Sequence, residues 1–224
     1  MTNEELKNID LPQYSYKEDK INCYSHVAGI FIGLIFFIIC LTYIIIYKCS
    51  FNNIISIIIY GISMMTLYLV SSLYHGAKAN SQDKKIKRVL DHCTIYFLIA
   101  GTYTPICIIN NLTTSSIILL IIQWVMASLG IILNAYDFNK KCIRIISIFL
   151  YIILGWSVMI FPSIWKSLPY LSFLFILLGG IGYTIGSILY GIGHKKRIFH
   201  CIFHFFCLIG TILQGIGIIF LIIS

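Results

Sequence analysis

The chain has 224 residues, 59% of them hydrophobic and only 11% charged, with 16 basic side chains against 8 acidic ones, a net charge of +8 and a mean hydropathy of +0.92. A soluble domain carries about 25% charged residues, so an ordinary soluble globular protein and a disordered chain are both excluded. The basic residues fall in short clusters between apolar runs, the arrangement of a polytopic membrane protein and not of a nucleic-acid surface.

Residues 1–22 read as a polar tail and residues 23–224 as a membrane domain. The tail opens with Glu4 and Glu5 where a cleavable signal peptide would carry basic residues, and the apolar run behind it is too long for a signal-peptide core. A helix needs about 20 apolar residues to cross a hydrocarbon core of about 30 Å. Runs of that order fall at 24–47, 52–75, 91–110, 114–134, 143–162, 169–193 and 198–223. The first opens near His26, and the second ends in Ser71-Ser72-Leu73-Tyr74-His75. A basic loop with Lys84, Lys85, Lys87 and Arg88 precedes the third run, which begins at Asp91. Only the uncharged stretch 110–114 separates the third from the fourth; a tight turn belongs there, since one helix over 91–134 is far too long to cross once. Pro162 and Pro169 bracket the turn before the sixth run. The seventh follows the cluster His194, Lys195, Lys196 and Arg197, and opens with His200-Cys201-Ile202-Phe203-His204.

Orientation follows from charge. With the amino terminus in the cytoplasm, that side holds fourteen basic residues: Lys7, Lys17, Lys20, Lys78, Lys84, Lys85, Lys87, Arg88, Lys140, Lys141, Arg144, Lys195, Lys196 and Arg197. The other side holds Lys48 and Lys166 alone. The expectation is an all-α, seven-transmembrane helix bundle in the cell membrane, amino terminus cytoplasmic and carboxyl terminus outside. This orientation is the reverse of a G-protein-coupled receptor. The last run has no lysine to hold retinal, and no internal repeat of the transporter kind stands out. The eight cysteines contain no CxxC; Cys40, Cys93, Cys107, Cys201 and Cys207 lie in or at the edges of apolar runs and read as small buried hydrophobes, not a disulfide framework.

Seven of the acids, Glu4, Glu5, Asp10, Glu18, Asp19, Asp83 and Asp137, fall in the tail or loops, whereas Asp91 begins a span. An ionisable group inside a membrane is costly and marks function; the alternative is a helix-start residue favoured by the dipole and paired with Arg88. His200 and His204, at i and i+4, share one helix face. They are either interface histidines or two ligands of one metal, and zinc would need a third ligand and an open position. Topology supplies the third: the second span runs inward, so His75, Asp91, His200 and His204 meet at one depth in the cytoplasmic leaflet. Ser71 lies one turn deeper than His75 on its face. Cys207 shares the histidine face and Cys201 points about 100° from His200; both read as packing. His194 reads as a solvated loop residue, His92 points off the face of Asp91, and His26 is either a support behind the ligands or structural. Haem fits poorly, because two histidines one turn apart on one helix cannot supply both axial ligands.

Four motifs together, Ser71-Ser72-Leu73-Tyr74-His75, Arg88-Val89-Leu90-Asp91-His92, Ile99-Ala100-Gly101-Thr102-Tyr103-Thr104-Pro105 and His200-Cys201-Ile202-Phe203-His204, resemble the hemolysin III branch of the progestin and adipoQ receptor family. The resemblance runs from Cys23-Tyr24-Ser25-His26 to the end of the chain, and the wider superfamily includes alkaline ceramidases. It implies seven helices around a cytoplasmic-side zinc held by three histidines, here His75, His200 and His204, with Ser71 and Asp91 lining the site. The tail is shorter than in the animal receptors, which weakens any expectation of hormone reception. Zinc chemistry at this depth suits hydrolysis of a lipid amide or ester, such as a ceramide-like amide, with Asp91 handling the water proton and Ser71 facing the developing oxyanion. A membrane lipid is the expected partner, and nucleic acid is not. The competing expectations are a zinc-stapled lipid sensor, membrane-homeostasis or receptor-like protein without catalysis, and cytolysis as the family name suggests. The chain is too apolar for a soluble pore-former.

Overall fold

The structure, a computed structural model, describes residues 9–110, 112–193 and 197–224. Among the described residues there is no strand, and seven long helices follow one another: α1 (Tyr16–Ile46), α2 (Phe51–Gly76), α3 (Gln82–Ile108), α4 (Thr114–Asp137), α5 (Lys141–Trp156), α6 (Tyr170–Gly193) and α7 (Ile198–Ile223). A 3₁₀ turn, Ser157–Ile160, prolongs α5, and one helical turn, Pro162–Trp165, leads to α6. Six of the seven, all but α3, are long and apolar enough to cross a membrane, α5 together with its 3₁₀ extension. Their outward faces carry exposed aliphatic and aromatic side chains at helical spacing, such as Phe31, Ile35 and Ile38 on α1 and Ile121, Val125, Leu129 and Ile132 on α4. Such a surface belongs in hydrocarbon, where helices alone satisfy their own backbone. The chain is a multi-pass integral membrane protein.

Two helices begin earlier than their apolar runs. Ser15 and Glu18 form a reciprocal capping box, Glu18 Oε2 accepting from the Ser15 amide at 2.6 Å and Ser15 Oγ from the Glu18 amide at 3.3 Å. That cap starts α1 in the polar segment, so Asp19, Asn22 and His26 lie along one helix face. Ser81 caps α3 by accepting from the Lys84 amide at 3.1 Å. Asp91 is therefore more than two turns inside α3, and the helix-start reading of this residue lapses.

Helices α1, α2, α3 and α4 pack in sequence, α7 packs on α1 and on α6, and α5 closes the ring with sparser contacts to α3, α4 and α6. Helix α3 touches α2, α4, α5 and α7 and is buried along its length, from Lys84 to Cys107. A helix enclosed by protein can carry Asp91, His92, Thr94, Thr102 and Thr104, and that is why its apolarity falls short of its neighbours'. Polar bonds join the outer helices: Gln123 Nε2 donates to Ser157 Oγ at 2.5 Å, and Ser147 Oγ to Asn134 Oδ1 at 2.7 Å. Tyr68 of α2 and Tyr183 of α6 both meet Thr211 Oγ1 of α7, at 2.5 and 2.7 Å.

Candidate metal centre

The end of α2 and the start of α7 lie at the same end of the bundle, and they bring three imidazoles together. One ring nitrogen each from His75, His200 and His204 falls within 4.8 Å of the others, so the group could hold a metal ion. The three are 2%, 8% and 3% exposed, so they are withdrawn from bulk solvent. His200 Nε2 and His204 Nε2 are 2.9 Å apart, and His75 Nε2 is buried with no hydrogen-bond partner among the described residues. An orphaned buried nitrogen facing two others is what a metal would resolve, and imidazole is a common ligand for zinc and its neighbours. The residues fit such an ion.

The supporting contacts select which nitrogen is free. Asp19 Oδ1 lies 3.2 Å from His75 Nδ1, and Lys84 Nζ holds Asp19 Oδ2 at 2.6 Å. Nδ1–H donates to the carboxylate, leaving Nε2 with its lone pair toward the cluster, the usual way a carboxylate orients a ligating histidine. His26 Nε2 lies 2.5 Å from His204 Nδ1, so His204 too keeps Nε2 for the cluster. His26 therefore stands directly behind the histidine group. Asp19 is the residue that sequence reading missed. The signal was present in the Ser15-to-Glu18 capping pattern, which puts Asp19 on the helix face of His26, seven residues on.

Residues 9–15 form an irregular strap across this end. Ile9 is buried with Val89, Cys93 and Phe138, and Arg88 donates to the Asp10 carbonyl. The strap lays the Tyr14 ring on His200, centroids 4.9 Å apart, and 5.7 Å from His75. Burial pushes the Tyr14 phenol well above its ordinary pKa of about 10, so it stays neutral.

Asp91 lines a cavity with His200 and His204, and Ser71, 2% exposed, faces Asp91. Asp91 stands outside the three-histidine group, and no ion pair joins it to Arg88 among the described residues. His92 is buried, its ring against Phe138 and its Nε2 3.4 Å from the Tyr190 hydroxyl. Cys201 packs in the interior, and Cys207 lines the cavity without joining the histidine group. His194 lies outside the described residues. The cavity continues between α3, α5, α6 and α7 past Ile99, Ile152, Trp156 and Tyr183 to Gln214. From His200 to Gln214 along α7 is roughly 20 Å at the helical rise, and the lining is mainly apolar.

The profile of the family described as haemolysin-III related matches residues 14–215. A hemolysin-3 homolog of Bacillus subtilis (strain 168) is 35% identical over 202 residues, covering 88% of this chain and 91% of that protein. The hemolysin-3 of Bacillus cereus is 33% identical over 205 residues, 91% of each chain. The human monocyte to macrophage differentiation factor is 26% identical over 155 residues, 66% of this chain and 62% of its own.

Proposed function

The chain belongs to the haemolysin-III-related family, and from that premise we propose a seven-span membrane hydrolase that cleaves an amide or ester of a membrane lipid at a zinc site. Helix α3 is the seventh span, carried across by the helices around it. Residues 1–22 lie in the cytoplasm and the carboxyl terminus outside, because that orientation leaves only Lys48 and Lys166 on the far side. His75, His200 and His204 would hold the zinc. Bound zinc would lower the pKa of water to about 7 and polarise a carbonyl. Asp91 takes up the water proton and returns it to the leaving amine or alcohol, while Ser71 donates to the oxygen on which negative charge develops. Asp19 and His26 keep His75 and His204 in register, and Tyr14 shuts the centre off from the aqueous side.

One observation carries this reading: an ionisable carboxyl, Asp91, sits inside the bundle beside three imidazoles and at one end of an apolar cavity about as long as an acyl chain. A lipid whose scissile bond lies near its headgroup would place that bond at the histidines and its chain in the cavity. A second reading, a zinc staple in a lipid-sensing protein, is favoured by the contact of His26 from α1 with His204 of α7, beside His75 of α2. The two part at Asp91. Zinc content and lipid-amide or ester hydrolysis are measured on purified protein in detergent for wild type, Asp91→Asn and a His200→Ala, His204→Ala double variant. Hydrolysis requires that Asp91→Asn keep its zinc while losing about 10²-fold or more in rate, and that the double variant lose the zinc. Full activity in Asp91→Asn would refute the mechanism, and full zinc in a folded double variant would refute the site.

A further inference from the structure

A second recess opens beside the metal centre, under the strap, and the hydrolytic reading makes no use of it. It is lined by Arg88 of α3, Arg144 of α5 and Arg197 just before α7, with Tyr14 and Tyr190. Tyr14, Arg88, Tyr190 and His200 line both this recess and the long cavity, so the two are continuous. Arg88 is 5% exposed, Arg144 is half-buried and Arg197 stands exposed at the rim. The Arg88 and Arg144 guanidinium groups lie over one ring, that of Phe138, at 5.4 and 5.9 Å from its centroid.

Their fixed partners are neutral. Arg88 donates to the Asp10 carbonyl, and Arg144 to the Phe138 and Asn139 carbonyls at 2.9 Å each. Among the described residues none of the three arginines is in an ion pair, and the Asp10 residue at the recess is itself exposed. Carbonyl oxygens hold a guanidinium in position without neutralising it; Asp91 lies within electrostatic reach of Arg88 but forms no ion pair with it among the described residues, and Arg144 and Arg197 have no carboxylate partner there. Collecting like charges in a partly desolvated recess is costly until an anion joins them. Guanidinium forks match the oxygens of a phosphate, and basic recesses between membrane helices on the cytoplasmic side suit anionic headgroups.

We propose that this recess binds a phosphate ester, carried as the headgroup of an anionic phospholipid in the cytoplasmic leaflet. Arg144 and Arg197, the less buried of the three, bind the phosphate, and Arg88 adds its buried charge to the same recess. The site does not depend on whether the metal centre is catalytic, and binding alone tests it. Full-length protein in neutral detergent is titrated with short-chain phosphatidylglycerol, with phosphatidylcholine and, separately, with inorganic phosphate, and affinity is read by calorimetry. The variants are Arg197→Gln alone, at the exposed rim where the fold is not at stake, and Arg144→Gln with Arg197→Gln. A Lys17→Gln, Lys20→Gln control removes the same charge from exposed positions at the same end.

Wild type should bind phosphatidylglycerol at least about tenfold tighter than the double variant, as expected for a lost charge-assisted hydrogen bond. Arg197→Gln should fall between them, and the lysine control should match wild type. Inorganic phosphate binding as tightly as the lipid, and lost in the same variants, would make free phosphate the source. Weak phosphate beside tight lipid makes the source the headgroup. The proposal fails if wild type binds neither, if phosphatidylcholine binds equally, if Arg197→Gln binds like wild type, or if the lysine control loses as much as the arginine variants.

Discussion

Asp19 bonds His75 through one carboxylate oxygen and Lys84 through the other, and so transmits the position of α3 to a candidate ligand on α2. Removing its charge while keeping its shape isolates that role. Asp19→Asn should leave the helices intact and weaken metal binding about 10–100-fold, the usual effect of losing the carboxylate behind a ligating histidine. Competition with a graded series of chelators measures it, with helicity followed alongside; unchanged affinity would leave Asp19 a mere partner of Lys84. The histidine group was legible from sequence because charge asymmetry placed three span ends, carrying His75, Asp91 and the pair His200 and His204, at one membrane depth. Asp19 was not, because an acid next to Glu18 in a polar segment looks like tail until the cap at Ser15 is recognised. Tyr14 was hidden for another reason: the strap that brings it to the centre has no periodicity to read.

At the scale of the helix, apolar runs located every long helix and misjudged mainly where they begin. Helices α1 and α3 start with polar turns that a hydropathy reading discards, and serine caps set those starts. Helix α3 also shows that an enclosed helix is recognised less by apolarity than by small residues that let neighbours close in. Gly101 is one such residue. A Cβ there would lie 2.6 Å from the Cβ of Ser63 on α2, a contact that no rotamer change relieves. Intrinsic propensity favours alanine over glycine by about 1 kcal/mol, whereas overpacking costs about 1–3 kcal/mol, so the clash sets the sign. Gly101→Ala should lower the thermal midpoint in detergent, and adding Ser63→Gly, which removes the opposing Cβ, should recover most of the loss. A stabilised single variant would mean that α2 and α3 are not in this register.

For the whole molecule, the histidine centre and the membrane orientation stand or fall together. His75 ends α2 and His200 opens α7, and the two rings are 5.6 Å apart, so both helix ends must face the same side of the bilayer. That requires an even number of crossings after α2 and before α7, which α3 to α6 supply only if α3 crosses despite its polar residues. Charge gives the side: the ends gathered at the centre adjoin fourteen lysines and arginines, the opposite ends Lys48 and Lys166. A reporter inserted at Asn80, in the loop between α2 and α3, should therefore read as cytoplasmic, and one fused after Ser224 as external. If α3 lay on the surface, the carboxyl terminus would turn cytoplasmic and His200 would move to the face opposite His75. No packing of this bundle joins those rings across a hydrocarbon core of about 30 Å. A cytoplasmic reading at Ser224 would thus remove the metal centre along with the topology, whereas an external one leaves zinc as the next quantity to measure.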